Sequence, residues 1–164
     1  MPRNLPVKSH TVNNTSIREI SQVSYAFDNT SKTRALFEIN KGANFFGNID
    51  VNSQISYSYR RVPFENMIYI ADGPSDVPVF SILKQNQGRT YAVYPKGNRK
   101  AFLQVNQLMK DNRINMYGEA DYSEDTATYM WLMEHVGQIA ESIYTKKQEL
   151  ISKSVSRPPM HLQD

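Results

Sequence analysis

Two aspartates, Asp72 and Asp76, stand four residues apart behind a short apolar run, Met67-Ile68-Tyr69-Ile70-Ala71. Gly73 and Pro74 between them mark a tight turn, and Val77 to Lys84 reads as a helix. A strand ending in such a loop puts carboxylates where ligands of open parallel sheets sit, outside the carboxyl ends of the strands. Two carboxylates on one turn suit Mg²⁺, which takes one or two of them plus water and substrate phosphate. The start of the following helix adds backbone N–H donors for an anion, and Gly73 with Ser75 makes up the candidate phosphate loop. The same residues also spell an ordinary turn, with Asp-Gly as its corner and Ser75 or Asp76 capping the helix.

Lys32 is the second candidate. It opens a helical pattern, where the helix dipole mildly disfavours a cation, and it therefore asks for a phosphate or carboxylate to face. The bland alternative is a solvated lysine beside Arg34. His10, His135 and His161 are too scattered to form a metal set. Ser75 has no neighbouring histidine and no G-x-S-x-G elbow, which argues against a serine nucleophile.

The elements that position these residues follow from periodicity. Residues 1–16 are rich in Asn, Ser and Thr without an apolar period, and predict a flexible N-terminal arm. Val23, Tyr25 and Phe27 alternate, as in a strand over 22–27. Ser31 suits the cap of a helix over 32–41, stopped by Gly42. Residues 43–66 carry no clear period and read mostly as loop, long for a compact domain. The Met67–Ala71 run looks like a strand covered on both faces. A second apolar strand spans 90–94, a helix about 98–110, and a short strand 114–117 closed by Gly118. Ser123 is the expected cap of a long helix whose stripe of Ala127, Met130, Met133, Val136, Ala140 and Ile143 reads as core, together with Trp131. A frayed tail follows from about residue 151. Strand–helix alternation at this spacing predicts right-handed β-α-β units, hence an α/β fold with a parallel sheet.

A chain of 164 residues and 18.9 kDa predicts one domain, large enough to bury about 68–70% of its unfolded surface. Ten tyrosines, seven phenylalanines and one tryptophan argue against disorder throughout. Zero cysteines exclude a disulfide scaffold and a Cys-ligated metal. Net charge is +3, and the basic pairs Arg60-Arg61, Arg99-Lys100 and Lys146-Lys147 lie far apart, so a nucleic-acid partner is not expected. Apolar runs fall far short of the ~20 residues a membrane span needs, and no apolar segment follows Lys8 as in a signal peptide. The expectation is a cytoplasmic chain with no membrane partner.

The run Ile68-Tyr69-Ile70-Ala71-Asp72-Gly73-Pro74-Ser75-Asp76-Val77-Pro78-Val79-Phe80 resembles the fourth motif of haloacid dehalogenase-like (HAD) hydrolases. In that motif Gly commonly precedes the first Asp, where Ala71 stands here. The stretch Thr33–Gly42 also resembles one bacterial branch of the superfamily, and the similarity extends from about residue 20 to 145. The resemblance implies that Asp72 and Asp76 hold Mg²⁺. It also implies that Lys32 is the third-motif lysine that steadies the phosphoryl group, with Lys41 as its rival. The family's nucleophile motif, D-x-D-x-[TV], does not occur: no two aspartates stand two residues apart, neither around Asp50 nor in Asp121-Tyr122-Ser123-Glu124-Asp125. Residues 17–150 are therefore expected to be the C-terminal half of a HAD-like core, an incomplete Rossmann-like sheet with an uncovered strand edge. In a complete enzyme the substrate is a small phosphate monoester, and a chain carrying the N-terminal half is the implied partner. The alternative is an inactive remnant that serves as a binding or interaction module.

Overall fold

The computed structural model describes residues 7–12, 15–20 and 28–155, with side chains described over 28–153. The chain divides into two compact units, Met1–Pro63 and Phe64–Asp164. The division falls at the end of the aperiodic stretch 43–66, which holds turns and two short 3-10 turns at Tyr57–Tyr59 and Phe64–Asn66.

In the first unit, β1 (Val7–Val12) and β2 (Thr15–Ile20) pair antiparallel, from Val7 opposite Ile20 to Val12 opposite Thr15. This replaces the flexible arm expected over 1–16. The pairing rests on backbone hydrogen bonds rather than on an apolar period, the signal by which strands are read from sequence. The strand expected over 22–27 lies outside the described residues.

Helix α1 (Asn29–Lys41) starts three residues before the expected position. Its cap is Asp28, not Ser31: the Asp28 carboxylate accepts from the Ser31 backbone N–H at 2.6 Å and from the Ser31 hydroxyl. These bonds hold the Asp28 carboxyl below its ordinary pKa. Gly42 ends the helix at φ 82°, a left-handed conformation that favours glycine. Asn40 is buried and its side-chain amide donates to Val62 O at 2.8 Å. Arg61 lies 4.0 Å from the Phe45 ring centroid.

The second unit carries the predicted alternation. β3 (Ile68–Ala71), α2 (Val77–Gln85), β4 (Arg89–Tyr94), α3 (Arg99–Lys110), β5 (Met116–Glu119) and α4 (Ala127–Val155) follow in order. The three strands form a parallel sheet in the order β3-β4-β5, with Ala71 opposite Ala92 and Tyr94 opposite Glu119. β4 is the central strand and is buried through its middle. Its successive side chains leave opposite faces of the sheet. Ala92 joins Phe80 of α2 with Val105 and Leu108 of α3, and Tyr91 packs on Trp131 of α4 at 4.7 Å. The fold is thus α/β, an open parallel sheet flanked by helices and completed by a long C-terminal helix.

Three details depart from the sequence reading. β3 is half-buried, not covered on both faces, because it forms an edge of its sheet. β5 begins two residues late because Asn115 replaces a rung of the ladder: its side-chain oxygen accepts from Thr90 N (2.8 Å) and Thr90 Oγ1 (2.9 Å). Gly118 consequently lies inside β5 rather than closing it.

The cap of α4 is Thr126, whose hydroxyl accepts from Tyr129 N at 3.2 Å, and not Ser123. The helix also docks by a different face from the one expected. Thr128, Tyr129, Trp131, Leu132, His135, Ile139 and Ser142 are its buried or half-buried residues over 127–153, whereas Met130, Met133, Val136 and Ile143 stand exposed. The helix continues to Val155, past the expected start of the frayed tail.

Candidate acidic site at the carboxyl rim of the sheet

Because the strands are parallel, the loops after β3, β4 and β5 leave the same edge of the sheet. Asp72 follows β3 directly and is exposed. Asp76 closes a 3-10 turn, Pro74–Asp76, and is only 1% exposed. Although Asp76 occupies the cap position of α2, its side chain makes no capping bond. It faces inward, where Oδ1 accepts from the Tyr69 hydroxyl at 2.5 Å and Oδ2 from the Ser75 hydroxyl at 3.1 Å. The capping role that the turn reading offered for Asp76 is thereby excluded. A buried carboxylate costs several kcal/mol unless it is hydrogen-bonded, and here both oxygens are served.

Tyr69 is the residue that sequence reasoning passed over. It stands on the middle of β3 and stacks edge-on against Phe80 at 5.5 Å. The legible signal was a tyrosine hydroxyl, which needs a partner when its ring is packed, within one strand–loop turn of an aspartate. Burial first, then the hydrogen bond from Tyr69 to Asp76 and the negative charges of Asp76 and Asp72, raise its phenol well above the ordinary value of 10.0. A pKa raised in the folded state contributes stability that is present below the unfolded pKa, near 10, and lost as pH climbs through the folded value. Wild-type chain is therefore expected to lose resistance to urea between about pH 10 and 12, and Tyr69→Phe to lose distinctly less over that interval. Equal slopes in the two proteins would remove this assignment.

The anion cradle expected at the start of α2 is largely occupied. Asp76 N donates to Gly73 O, Val77 N to Pro74 O, and Pro78 carries no N–H. Ser75 is exposed, with its hydroxyl turned to Asp76. Gly73 is buried in extended backbone, at φ −173°, which any residue adopts; a Cβ added there meets no atom within 4 Å. Gly73→Ala is accordingly expected to leave thermal unfolding unchanged within about 1 kcal/mol.

The neighbouring loops add charge to the rim. Lys96 follows β4, and Asp121 follows β5. Bonds from Ser123 chiefly, and Lys96 to a lesser degree, hold the Asp121 carboxyl below its ordinary value. Among the described residues no group of three or more acidic or histidine side chains forms a complete metal site. A cleft of about 240 Å³ lined by Ser81, Lys84, Gln85, Asp111, Asn112 and Arg113 lies at the other end of α2, away from the aspartates.

The two lysines belong to the first unit. Lys32 is the fourth residue of α1, half-buried, with its backbone N–H on Asp28 O at 2.9 Å. Lys41 closes the same helix, and its ammonium donates to Val51 O (2.6 Å) and Ser53 O (2.8 Å). Lys41 thus ties down a loop, which weakens its claim to a phosphate.

No helix among the described residues is long and apolar enough to cross a membrane. No family model matches the chain, and no solved structure matches it. The chain is similar to a protein of Borreliella burgdorferi (strain ATCC 35210 / DSM 4680 / CIP 102532 / B31) described as uncharacterized, at 39% identity over 120 residues. That alignment covers 71% of this chain and 39% of the relative, so the chain spans well under half of the relative's length.

Proposed function

We propose that this chain is the C-terminal part of a HAD-like, Mg²⁺-dependent phosphatase-type hydrolase of the cytoplasm. The observation that carries the reading is the paired but unequal placement of the aspartates: Asp72 outward at the carboxyl end of β3, Asp76 inward and locked by Tyr69. An exposed carboxylate beside a Cβ-sized space suits direct contact with a cation, and a buried, doubly held one suits fixing its neighbour's geometry. Mg²⁺ bound there would neutralise phosphoryl oxygens of a small phosphate monoester. Its shell needs further oxygens from water, phosphate and another carboxylate.

In this reading Gly73 and Ser75 border the phosphoryl group. The attacking carboxylate comes from elsewhere, since the sequence holds no D-x-D-x-[TV]. The half-open β3 suits a partner that adds a strand to that side of the sheet. Mixing this chain with a chain carrying an N-terminal HAD half is expected to give Mg²⁺-dependent hydrolysis of p-nitrophenyl phosphate that neither shows alone. The absence of any such gain, with complex formation verified, rejects the enzymatic reading.

A second reading, an interaction module without turnover, is favoured by a separate observation, the exposed apolar face of α4.

A further inference from the structure

We propose that Lys96 is the cation that meets the phosphoryl group at Asp72, an inference that rests on the phosphatase reading above. The sheet of the second unit sends three loops from its carboxyl edge: 72–76 after β3, 95–98 after β4 and 120–126 after β5. These loops hold five acids, Asp72, Asp76, Asp121, Glu124 and Asp125, and a single cation, Lys96. An anionic phosphoryl group brought to that edge is repelled by every charged side chain of the loops except this one. Lys41 of the first unit, by contrast, already donates to Val51 O and Ser53 O.

Backbone geometry places Lys96 beside the aspartates. β3 and β4 are hydrogen-bonded neighbours, with Ala71, the last residue of β3, opposite Ala92. Adjacent strands lie about 4.8 Å apart, and β4 runs two residues, about 7 Å, beyond Ala92. The loop after β4 therefore stands next to the loop that carries Asp72 and rises past it. A lysine there has a flexible four-carbon stem with which to reach back. The loop itself is tied. Asn98 N donates to Pro95 O at 3.1 Å, closing a four-residue turn with Lys96 at its first corner. Gly97 takes the second corner at φ 74°, a left-handed conformation that favours glycine. The Asn98 side chain then caps α3, accepting from Ala101 N at 3.0 Å. Lys96 is exposed on this turn and forms no salt bridge among the described residues. Its charge bears on Asp121 only weakly, behind the bonds from Ser123. Its ammonium is thus placed to donate a charge-assisted hydrogen bond to a phosphoryl oxygen and to stabilise the charge that gathers there.

The test compares Lys96→Met, Lys96→Arg and Lys100→Met in the full chain assembled with an N-terminal HAD half. Lys100→Met is the control, since it removes an exposed cation from the first turn of α3. Two quantities are read: the dissociation constant of orthophosphate by calorimetry with Mg²⁺ present, and kcat/KM for p-nitrophenyl phosphate. Lys96→Met is expected to weaken orthophosphate at least about tenfold and to lower kcat/KM about 100-fold. Lys96→Arg is expected to recover part of both, and Lys100→Met to stay within about threefold of wild type. Circular dichroism and thermal unfolding are expected to be the same in all three, because both lysines are exposed. If Lys96→Met keeps the wild-type orthophosphate affinity, or merely matches Lys100→Met, the role of Lys96 is overturned while the phosphatase reading stands. A wild-type assembly that neither binds orthophosphate nor hydrolyses the ester overturns that reading, and this inference with it.

Discussion

Gly118→Ala is expected to destabilise the second unit by about 2–5 kcal/mol, a large part of the ~5–15 kcal/mol that holds a domain folded. A Cβ built on Gly118 falls 2.2 Å from the Tyr91 hydroxyl and 2.8 Å from Thr128 Oγ1. Those two oxygens are hydrogen-bonded to each other at 3.0 Å, and Thr128 also donates to Glu119 O at 2.6 Å. This knot joins the central strand, β5 and the first turn of α4 in a place where Tyr91 and Thr128 are at most 2% exposed. The methyl group cannot enter without parting them. The strain of overpacking, about 1–3 kcal/mol, then adds to the cost of a buried hydroxyl left unpaired. Urea denaturation followed by Trp131 fluorescence reads the change, since that ring packs on Tyr91. A midpoint within experimental scatter of wild type would show that α4 docks elsewhere.

On the function proposed above, Asp72→Asn is expected to do the reverse, sparing stability and removing Mg²⁺-dependent activity. The side chain is exposed, so its replacement is expected to move unfolding by no more than about 0.5 kcal/mol. Loss of an outer-shell partner of a metal typically costs 10–100-fold in affinity, and a directly contacting carboxylate at least about 100-fold. Mg²⁺ affinity and the hydrolysis restored by an N-terminal half should therefore fall together by at least that factor. Asp76→Asn is the informative companion. It replaces an acceptor of the Tyr69 hydroxyl in a buried site, and should cost both metal affinity and about 1–3 kcal/mol of stability. If Asp72→Asn keeps the wild-type rate in the assembled enzyme, the metal assignment fails.

The parts legible in the sequence were those written by apolar periodicity and by turn chemistry. β3, α2, β4 and α3 lie within about two residues of their expected bounds because each buries a stripe against the same core and is bounded by Gly, Pro or Asn. The misplacements have local causes. Asp28 outcompeted Ser31 as the cap because its carboxylate reaches both the Ser31 amide and hydroxyl. Asn115 imitates a strand rung with its side chain, which no propensity records. In α4 two apolar stripes share one helix, and the tyrosine–tryptophan packing at Trp131, not hydrophobicity alone, decides which stripe turns inward. At the site, the aspartates were visible as a pair, but their inequality was not. It depends on Tyr69, whose hydroxyl reaches Asp76 only once the strand, the loop and α2 are folded.

The sheet's all-parallel wiring bears on how the second unit assembles as it is synthesised. Ile68 meets Arg89 and Tyr91 meets Met116, so each new rung closes a loop on the order of twenty residues, cheaply in entropy. The core residues Phe80, Ala92, Val105, Leu108 and Ile114 all precede α4 in the chain. A chain ending after β5 would carry the acidic loop but lack Trp131, the ring that packs on Tyr91. The order of the chain thus puts the rim that carries Asp72 ahead of the helix that closes over Tyr91.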